Sequence, residues 1–473
     1  RNNRCSSSQP RRHHEAGDPP TTVGRMKNIG YAKLFSDYGT LVVLLLLCIG
    51  FSLVTIKEQS PTSAAAAEQL AKRSESELPV GSNIIILIWQ GEDRELFAKT
   101  LSETLANGPV TIAKTTIGQA ADARKTLEDF GNLGAELSGI LTDKRMGDFC
   151  NDNLDKLGKT HPNLAKAKIF QPESYRWPNF LKRGNLLNIM KQISVVAIIA
   201  IGMTMIIITA GIDLSVGSLI ALSGVITALS IQSLGGNAPT TGHLWLGALA
   251  GILVCGLAGL FTGGLVTLFN IPAFIATLGI MFSARGLAFI FADSEPIAVQ
   301  NESFGWLGRG RDFFGLPNSV ILMLILYTIA HVLMTRTSIG RYIYAVGGNP
   351  EAARLSGVPV KWVLLFAYTL TGLLAGLGGV MEASLHTTGD PKSGELVELK
   401  VIAAVVVGGT SLAGGQGKIL GTLIGAFIIA VINNGMNLTG VESHMQNVIY
   451  GAVILIAVII DRLKSQGIRL RKQ

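Results

Sequence analysis

Two stretches of this 473-residue sequence invite a chemical reading first. One is Gly414-Gly415-Gln416-Gly417-Lys418, which has the glycines and the lysine of a phosphate cradle. A P-loop needs Gly-x-x-x-x-Gly-Lys followed by Ser or Thr, so that amides hold phosphate and the hydroxyl reaches magnesium. Leu412 stands where the leading glycine belongs and Ile419 where the hydroxyl belongs. The chain is therefore expected to have no ATPase chemistry, catalytic residue, metal or cofactor of its own. The other is Thr209-Ala210-Gly211-Ile212-Asp213-Leu214-Ser215-Val216-Gly217-Ser218, one carboxylate among small residues between apolar runs at 189–208 and 219–231. Asp at the centre of a membrane helix costs about 2.5–3.5 kcal/mol. Asp213 therefore belongs at a helix start or in a polar, protein-lined place. It is well placed to N-cap the following helix, and Gly211 to turn the chain. The stretch is either a capped turn between two spans or a re-entry point beside a solute path. Ser215, Asn270, Thr277, Glu398, Asn433 and Asn434 are the other polar residues in apolar surroundings. Each is a candidate for that path, or else a cap or a helix–helix hydrogen bond.

A third stretch, 335–361, is polar, with Arg336, Arg341, Arg354 and Lys361 against Glu351. Asn349 as N-cap, Pro350 at the first helical position and Gly357 as a stop predict a short helix over 350–355. Such a helix can pass a rigid-body push between subunits; the plainer reading is a solvated loop with a capped turn.

The elements that hold these residues are mostly apolar. The chain is 48% hydrophobic and 15% charged, against about 25% charge in soluble domains, and the deficit begins after residue 186. Candidate spans fall at 38–56, 186–208, 213–232, 245–269, 272–292, 317–334, 362–381, 397–411, 419–436 and 444–461, about ten in all. The 397–411 run is short and open to a re-entrant reading. The 38–56 run reads as a retained first span or as a signal peptide, with its length favouring the span. Four-residue glycine spacings at 247/251, 259/263, 372/376 and 421/425 imply closely packed helices. The four cysteines form no disulfide or metal pattern.

The net charge is +8, but the basic residues flank apolar runs and no aromatic-interleaved patch occurs. That excludes a nucleic-acid binder and reports orientation instead. Placing the N-terminal tail, the 335–361 loop and the C-terminal Arg462, Lys464, Arg469, Arg471 and Lys472 inside requires an even number of spans on each side of the loop. Six and four, about ten in total, satisfy it. Residues 57–177 then lie outside. They carry 15 Lys/Arg and 17 Asp/Glu, a soluble balance. Strands at 83–89, 110–113 and 138–141, with helices at 93–106 and 120–130, suggest a small parallel α/β insert. It reads as a docking or structural module in preference to a sugar site. The expected fold is an all-α polytopic membrane protein with a small α/β extracytoplasmic insert. Its parts are a basic tail at 1–37, a first span at 38–56, the insert at 57–177, the main membrane domain at 178–462 and a basic tail at 463–473. Residues 1–25, which precede Met26, read equally as untranslated sequence or as a disordered tail.

The wording of several blocks also resembles a known family. Ile207 to Ser223, IITAGIDLSVGSLIALS, is similar to the permease subunits of ribose/xylose/galactose-type ABC importers. So are Phe269-Asn270-Ile271-Pro272-Ala273-Phe274, Ser283-Ala284-Arg285-Gly286, Gly340-Arg341-Tyr342, Val407-Gly408-Gly409-Thr410 and Asn433-Asn434-Gly435-Met436. The resemblance covers roughly 178–462 and leaves out 1–37 and 57–177; the insert departs from the family pattern. It implies a monosaccharide importer of the bacterial inner membrane, in which two permease copies form the pore. A periplasmic sugar-binding protein would deliver the sugar, and ATP and magnesium would sit on a partner ATPase. It further implies that Gly340, Arg341, Gly348, Asn349, Glu351, Ala352, Ala353, Arg354 and Gly357 belong to the segment that seats on the ATPase. Lys400 stands where the resemblance leads one to expect an acidic residue. Two other classes remain: an ion-coupled secondary transporter, for which intramembrane ionisable residues are few, and a membrane-anchored sugar sensor acting through the insert.

Overall fold

The computed structural model describes residues 23–236 and 238–470. The expected tail at 1–22, with Cys5, and the basic residues Arg471 and Lys472 lie outside the described residues, as do the side chains of Arg462, Lys464 and Arg469. The described residues begin with helix α1 (Val23–Val54), and the chain divides into two compact units, Ser52–Leu181 and the remainder.

In the smaller unit, β1 (Ile56–Gln59) is followed by α2 (Ala64–Glu77), β2 (Asn83–Trp89), α3 (Glu92–Ala106), β3 (Thr111–Gly118), α4 (Ala120–Asn132), β4 (Gly139–Thr142), α5 (Lys144–Thr160), β5 (Lys168–Phe170) and β6 (Tyr175–Pro178). Four strands form one parallel sheet in the order β3-β2-β4-β5. The run Asn83 to Trp89 is apolar throughout because the central strand β2 is covered on both faces. Ile84, Ile86 and Ile88 pack against α2 and α3, while Ile85 and Leu87 pack against α4 and α5. Helices α2 and α5 and strand β5 extend the pattern beyond the three strands and two helices visible in the sequence. The antiparallel pair β1–β6 lies outside this sheet.

The larger unit is helical. After α6 (Arg183–Ile208) come α7 (Val216–Gly235), α8 (Thr241–Leu268) and α9 (Ala273–Phe291). A two-residue strand β7 (Ile297–Ala298) and the one-turn α10 (Trp306–Arg309) lead to α11 (Asn318–Arg336), α12 (Ser338–Gly348), α13 (Pro350–Leu355) and α14 (Val360–His386). Strand β8 (Thr388–Gly389), paired with β7, precedes α15 (Val397–Val407), α16 (Ile419–Thr439) and α17 (Ser443–Leu470). Among the described residues, seven helices are long and apolar enough to cross a membrane: α6, α7, α8, α9, α11, α14 and α16. The apolar parts of α1 and α17 are shorter. Helix α15 has 11 residues, about 17 Å at about 1.5 Å per residue, against a hydrocarbon core of about 30 Å. The 397–411 run is thus a short helix followed by a turn, not a full-length span.

The glycine pairs are where the backbones meet. Cβ atoms on Gly247 and Gly251 would press on α7, on Gly259 and Gly263 on α14, and on Gly372 and Gly376 on α8. Gly425 meets Ala404 and Gly408 in the same way. Close approach of this kind is what small residues provide where lipid offers no hydrophobic drive for association.

Candidate functional site

The chain breaks between α6 and α7. Ala210 takes a left-handed φ of 61°, and the amides of Ala210 and Gly211 turn back to Ile207 O and Ile206 O, each at 2.9 Å, so α6 ends in a closed turn. Asp213 is 2% exposed. Its Oδ1 accepts from the Ser215 amide at 2.8 Å and from Ser215 Oγ at 2.6 Å. The expected N-cap role is corrected here: the helix opens at Val216 with Ser215 in the cap position. Asp213 lies two residues further out and closes an Asx turn, because the reversal after α6 uses up the chain that would have carried it to the helix end. Thr277 of α9 reaches the same break, donating to Ile212 O at 3.4 Å.

Glu398 arrives from the other side. The segment before α15 runs alongside α7: a Cβ on Gly389 would meet Gly224 and Ala228, and one on Gly394 would meet Gly217 and Ile220. It therefore descends past seven residues of α7, about 10 Å of its axis, to the first turn. There the Glu398 carboxylate lies against Gly217. Arg285 of α9 holds this segment, its Nη1 donating to Pro391 O at 2.8 Å and Ser393 O at 2.7 Å. Glu398, Glu395 and Asp390 are its electrostatic neighbours. Asp213, Ser215, Thr277 and Glu398 thus gather around the start of α7. Arg285 joins them although polarity in an apolar run did not single it out; its only sequence signal was its place in a family-like block.

The other path candidates go elsewhere. Asn270 is exposed at the α8–α9 turn with φ 53°, a conformation Asn tolerates better than most residues. Asn434 exchanges two amide hydrogen bonds with Asn185, at 2.8 and 2.9 Å, and Asn433 accepts from Asn437 at 3.1 Å. Asn185 is in the first turn of α6, 23 residues before Ile208, so this pair is about 35 Å along the helix from the Asp213 break. It ties α6 to α16. Lys400 places its ammonium 5.8 Å from the Tyr450 ring centroid.

The polar stretch 335–361 is more ordered than a loop. Thr337 accepts from the Gly340 amide and starts α12, whose Ile343, Val346 and Gly347 are buried while Arg341, Ala345 and Gly348 are exposed. This helix escapes a reading from polarity because its inner face consists of only a few small or apolar residues. The next helix, α13, forms over the residues expected: Asn349 Oδ1 accepts from Ala352 N at 3.0 Å, and Pro350 is at the first helical position. At its end Gly357 has φ 82° and the Val358 amide returns to Ala353 O at 3.0 Å. Ala353 is buried; Glu351, Ala352, Arg354 and Leu355 face outward.

These two regions share a junction. The Ile208 carbonyl, at the end of α6, accepts from the Gly415 amide at 2.8 Å. Gly347 at the end of α12 packs so closely that a Cβ there would overlap the Ile208 carbonyl oxygen and lie 2.7 Å from Gly415 N. Tyr344 Oη donates to Gly417 O at 2.8 Å. The glycine-lysine stretch 414–418 is therefore the turn that seats α12 on the end of α6; one residue after Gly348 comes the α13 cap, and five residues after Ile208 comes Asp213.

Several membrane-length helices packed through glycines, with buried polar breaks between them, define a multi-pass membrane protein. Comparison with known proteins gives its kind. Residues 185–458 match the family described as branched-chain amino acid transport system / permease component. The ribose import permease protein RbsC of Escherichia coli K12 is 46% identical over 293 residues, 61% of this chain and 88% of that protein. RbsC of Bacillus subtilis is 44% identical over 61% of this chain and 88% of its own length. The L-arabinose transport system permease protein AraH of Escherichia coli K12 is 39% identical over 62% and 87%. The chain belongs to the permease family of ABC sugar importers. No solved structure matches it.

Proposed function

We propose that the chain is the membrane-spanning subunit of an ABC importer that moves a monosaccharide of the ribose, xylose, galactose or arabinose class across the bacterial inner membrane. ATP, with magnesium, is hydrolysed on a separate ATPase subunit seated on α13. A periplasmic binding protein delivers the sugar, and a second copy of the chain completes the pore. About ten crossings fit the charge distribution, with 57–177 outside and the N-terminal tail, α12–α13 and C-terminus inside. One of those crossings is discontinuous: the turn-rich 390–396 segment followed by α15. Irregular backbone at membrane depth is tolerated where it lines a cavity, and broken helices in transporters carry binding groups there. Asp213, Ser215, Thr277 and Glu398 are the groups assigned to the path.

The observation that carries the reading is the Ile208–Gly347–Gly415 junction. It joins an exposed, capped helix fit to receive a push to the break where the polar residues gather. The contacts are backbone on backbone, with no flexible side chain to absorb displacement, so movement of α12 is passed to the end of α6. The relatives named for ribose and L-arabinose support the sugar class. Deleting residues 351–357 tests the reading: sugar uptake and retention of the ATPase should both be lost while the chain still inserts. Unchanged uptake would remove α13 from the mechanism.

A further inference from the structure

The smaller unit carries a feature that import does not use. Its sheet order, β3-β2-β4-β5, reverses direction between β2 and β4. The helix after β2 lies on one face with α2, and the helix after β4 lies on the other with α4. In open α/β sheets, a crevice opens at the carboxyl ends of the strands at such a point, between the helices that leave to opposite faces. Here that place is a cavity of about 310 Å³, within the range of small-molecule sites.

Its wall is polar and balanced. Arg94 comes from the helix after β2, Asp143, Lys144 and Asp148 from the start of the helix after β4, and Glu58 and Ser60 from β1 and its continuation. Asp143 is 1% exposed; its Oδ1 accepts from the Trp89 amide at 2.9 Å, and its Oδ2 lies 3.5 Å from Arg94 Nη1. Held this way, it does not cap α5, which has no side-chain cap. Ser60 Oγ is buried without a hydrogen-bond partner, an unmet cost that a polar group on the wall's open side would remove.

We propose that this crevice binds a small neutral polyhydroxylated molecule, of the monosaccharide class, independently of the membrane path. The lining holds three carboxylates, Glu58, Asp143 and Asp148, and three cationic groups, Arg94, Lys144 and Arg145. An anion or a cation would bury one sign against its like, whereas hydroxyls both donate to the carboxylates and accept from Arg94 and Lys144. The site goes beyond the transport reading and gives the extra domain a solute-sensing role on the same chain.

The test is titration calorimetry on the full chain in lipid nanodiscs with D-ribose, L-arabinose and D-galactose, and with D-ribose 5-phosphate as the anionic comparison. Saturable binding of a neutral sugar is expected, weakened about tenfold or more by Arg94→Ala and by Asp148→Asn, whose carboxylate is exposed at the rim. Absence of saturable binding by all three neutral sugars would overturn the proposal. So would binding that both substitutions leave intact, or binding confined to the phosphorylated sugar. No uptake is measured, so failure here leaves the importer reading standing, and failure of uptake leaves this one standing.

Discussion

Gly347 lies against the carbonyl of Ile208 so closely that no side chain fits between α12 and the end of α6. The next residue, Gly348, is exposed and has nothing within 4 Å of where its Cβ would be. The pair allows a controlled comparison. Overpacking costs about 1–3 kcal/mol, so Gly347→Ala should force α12 away from α6 and lower sugar uptake about tenfold or more. Gly348→Ala leaves the α12–α6 junction intact, so it should lower uptake less than Gly347→Ala does. Transport assays on both, with membrane amounts matched, check it; equal effects would mean that the junction is not what connects α12 to α6.

The Asp213 turn separates charge from hydrogen bonding. Asp213→Asn keeps an acceptor oxygen for the Ser215 amide and hydroxyl, whereas Asp213→Ala loses both bonds. If the carboxylate serves only the turn, Asn should preserve uptake and Ala should destabilise the break by about 1–3 kcal/mol. If its charge faces the solute, Asn should lower uptake as much as Ala. With Asp213 on the path, the second pattern is expected, read as uptake rate together with thermal stability in detergent.

How much of this was legible in the sequence depended on distance along the chain. The α13 helix was readable because Asn349, Pro350 and Gly357 act within nine residues. The glycine pairs were readable because their four-residue spacing places both on one helix face. The Asp213 cap was misplaced by the α6 turn, whose geometry depends on Ala210 entering a left-handed conformation that its residue type does not announce. Arg285 was not singled out because its acceptors, Pro391 O and Ser393 O, are 106 and 108 residues away. Which partner Asn434 has was not legible, because polarity alone does not reveal Asn185, 249 residues distant. In the smaller unit, β2 stood out as a continuous apolar run, while β5, with three residues, gave too little pattern to see.

The Asn185–Asn434 pair offers a measurement of helix association. Interhelical hydrogen bonds in membranes average about 0.6 kcal/mol and reach about 1.7. A double-mutant cycle with Asn185→Ala and Asn434→Ala should give a coupling energy in that range, toward its upper end because two bonds are lost. A coupling indistinguishable from zero would show that the pair does not hold α6 to α16.

The smaller unit has a pH dependence whose sign is fixed by two carboxylates. A hydrogen bond from Ser174 and the ion pair with Lys144 hold Glu58 below its ordinary value of 4.5. Hydrogen bonds from Lys168 and Arg73 do the same for Glu77. A carboxyl lowered on folding binds fewer protons than in the unfolded chain, so its stabilisation is present above about pH 4.5 and is lost as pH falls through the folded value. Amide exchange in β1 and α2 of the full chain, corrected for intrinsic rates, should accelerate below that pH. The Glu58→Gln, Glu77→Gln double variant should show a weaker pH dependence.

The most direct test is reconstitution in liposomes of the chain alone, and then with its ATPase and sugar-binding protein. The chain alone should give no uphill accumulation of sugar, with or without ion gradients, and only the complete assembly should give ATP-dependent accumulation. Uphill movement by the chain alone would contradict it.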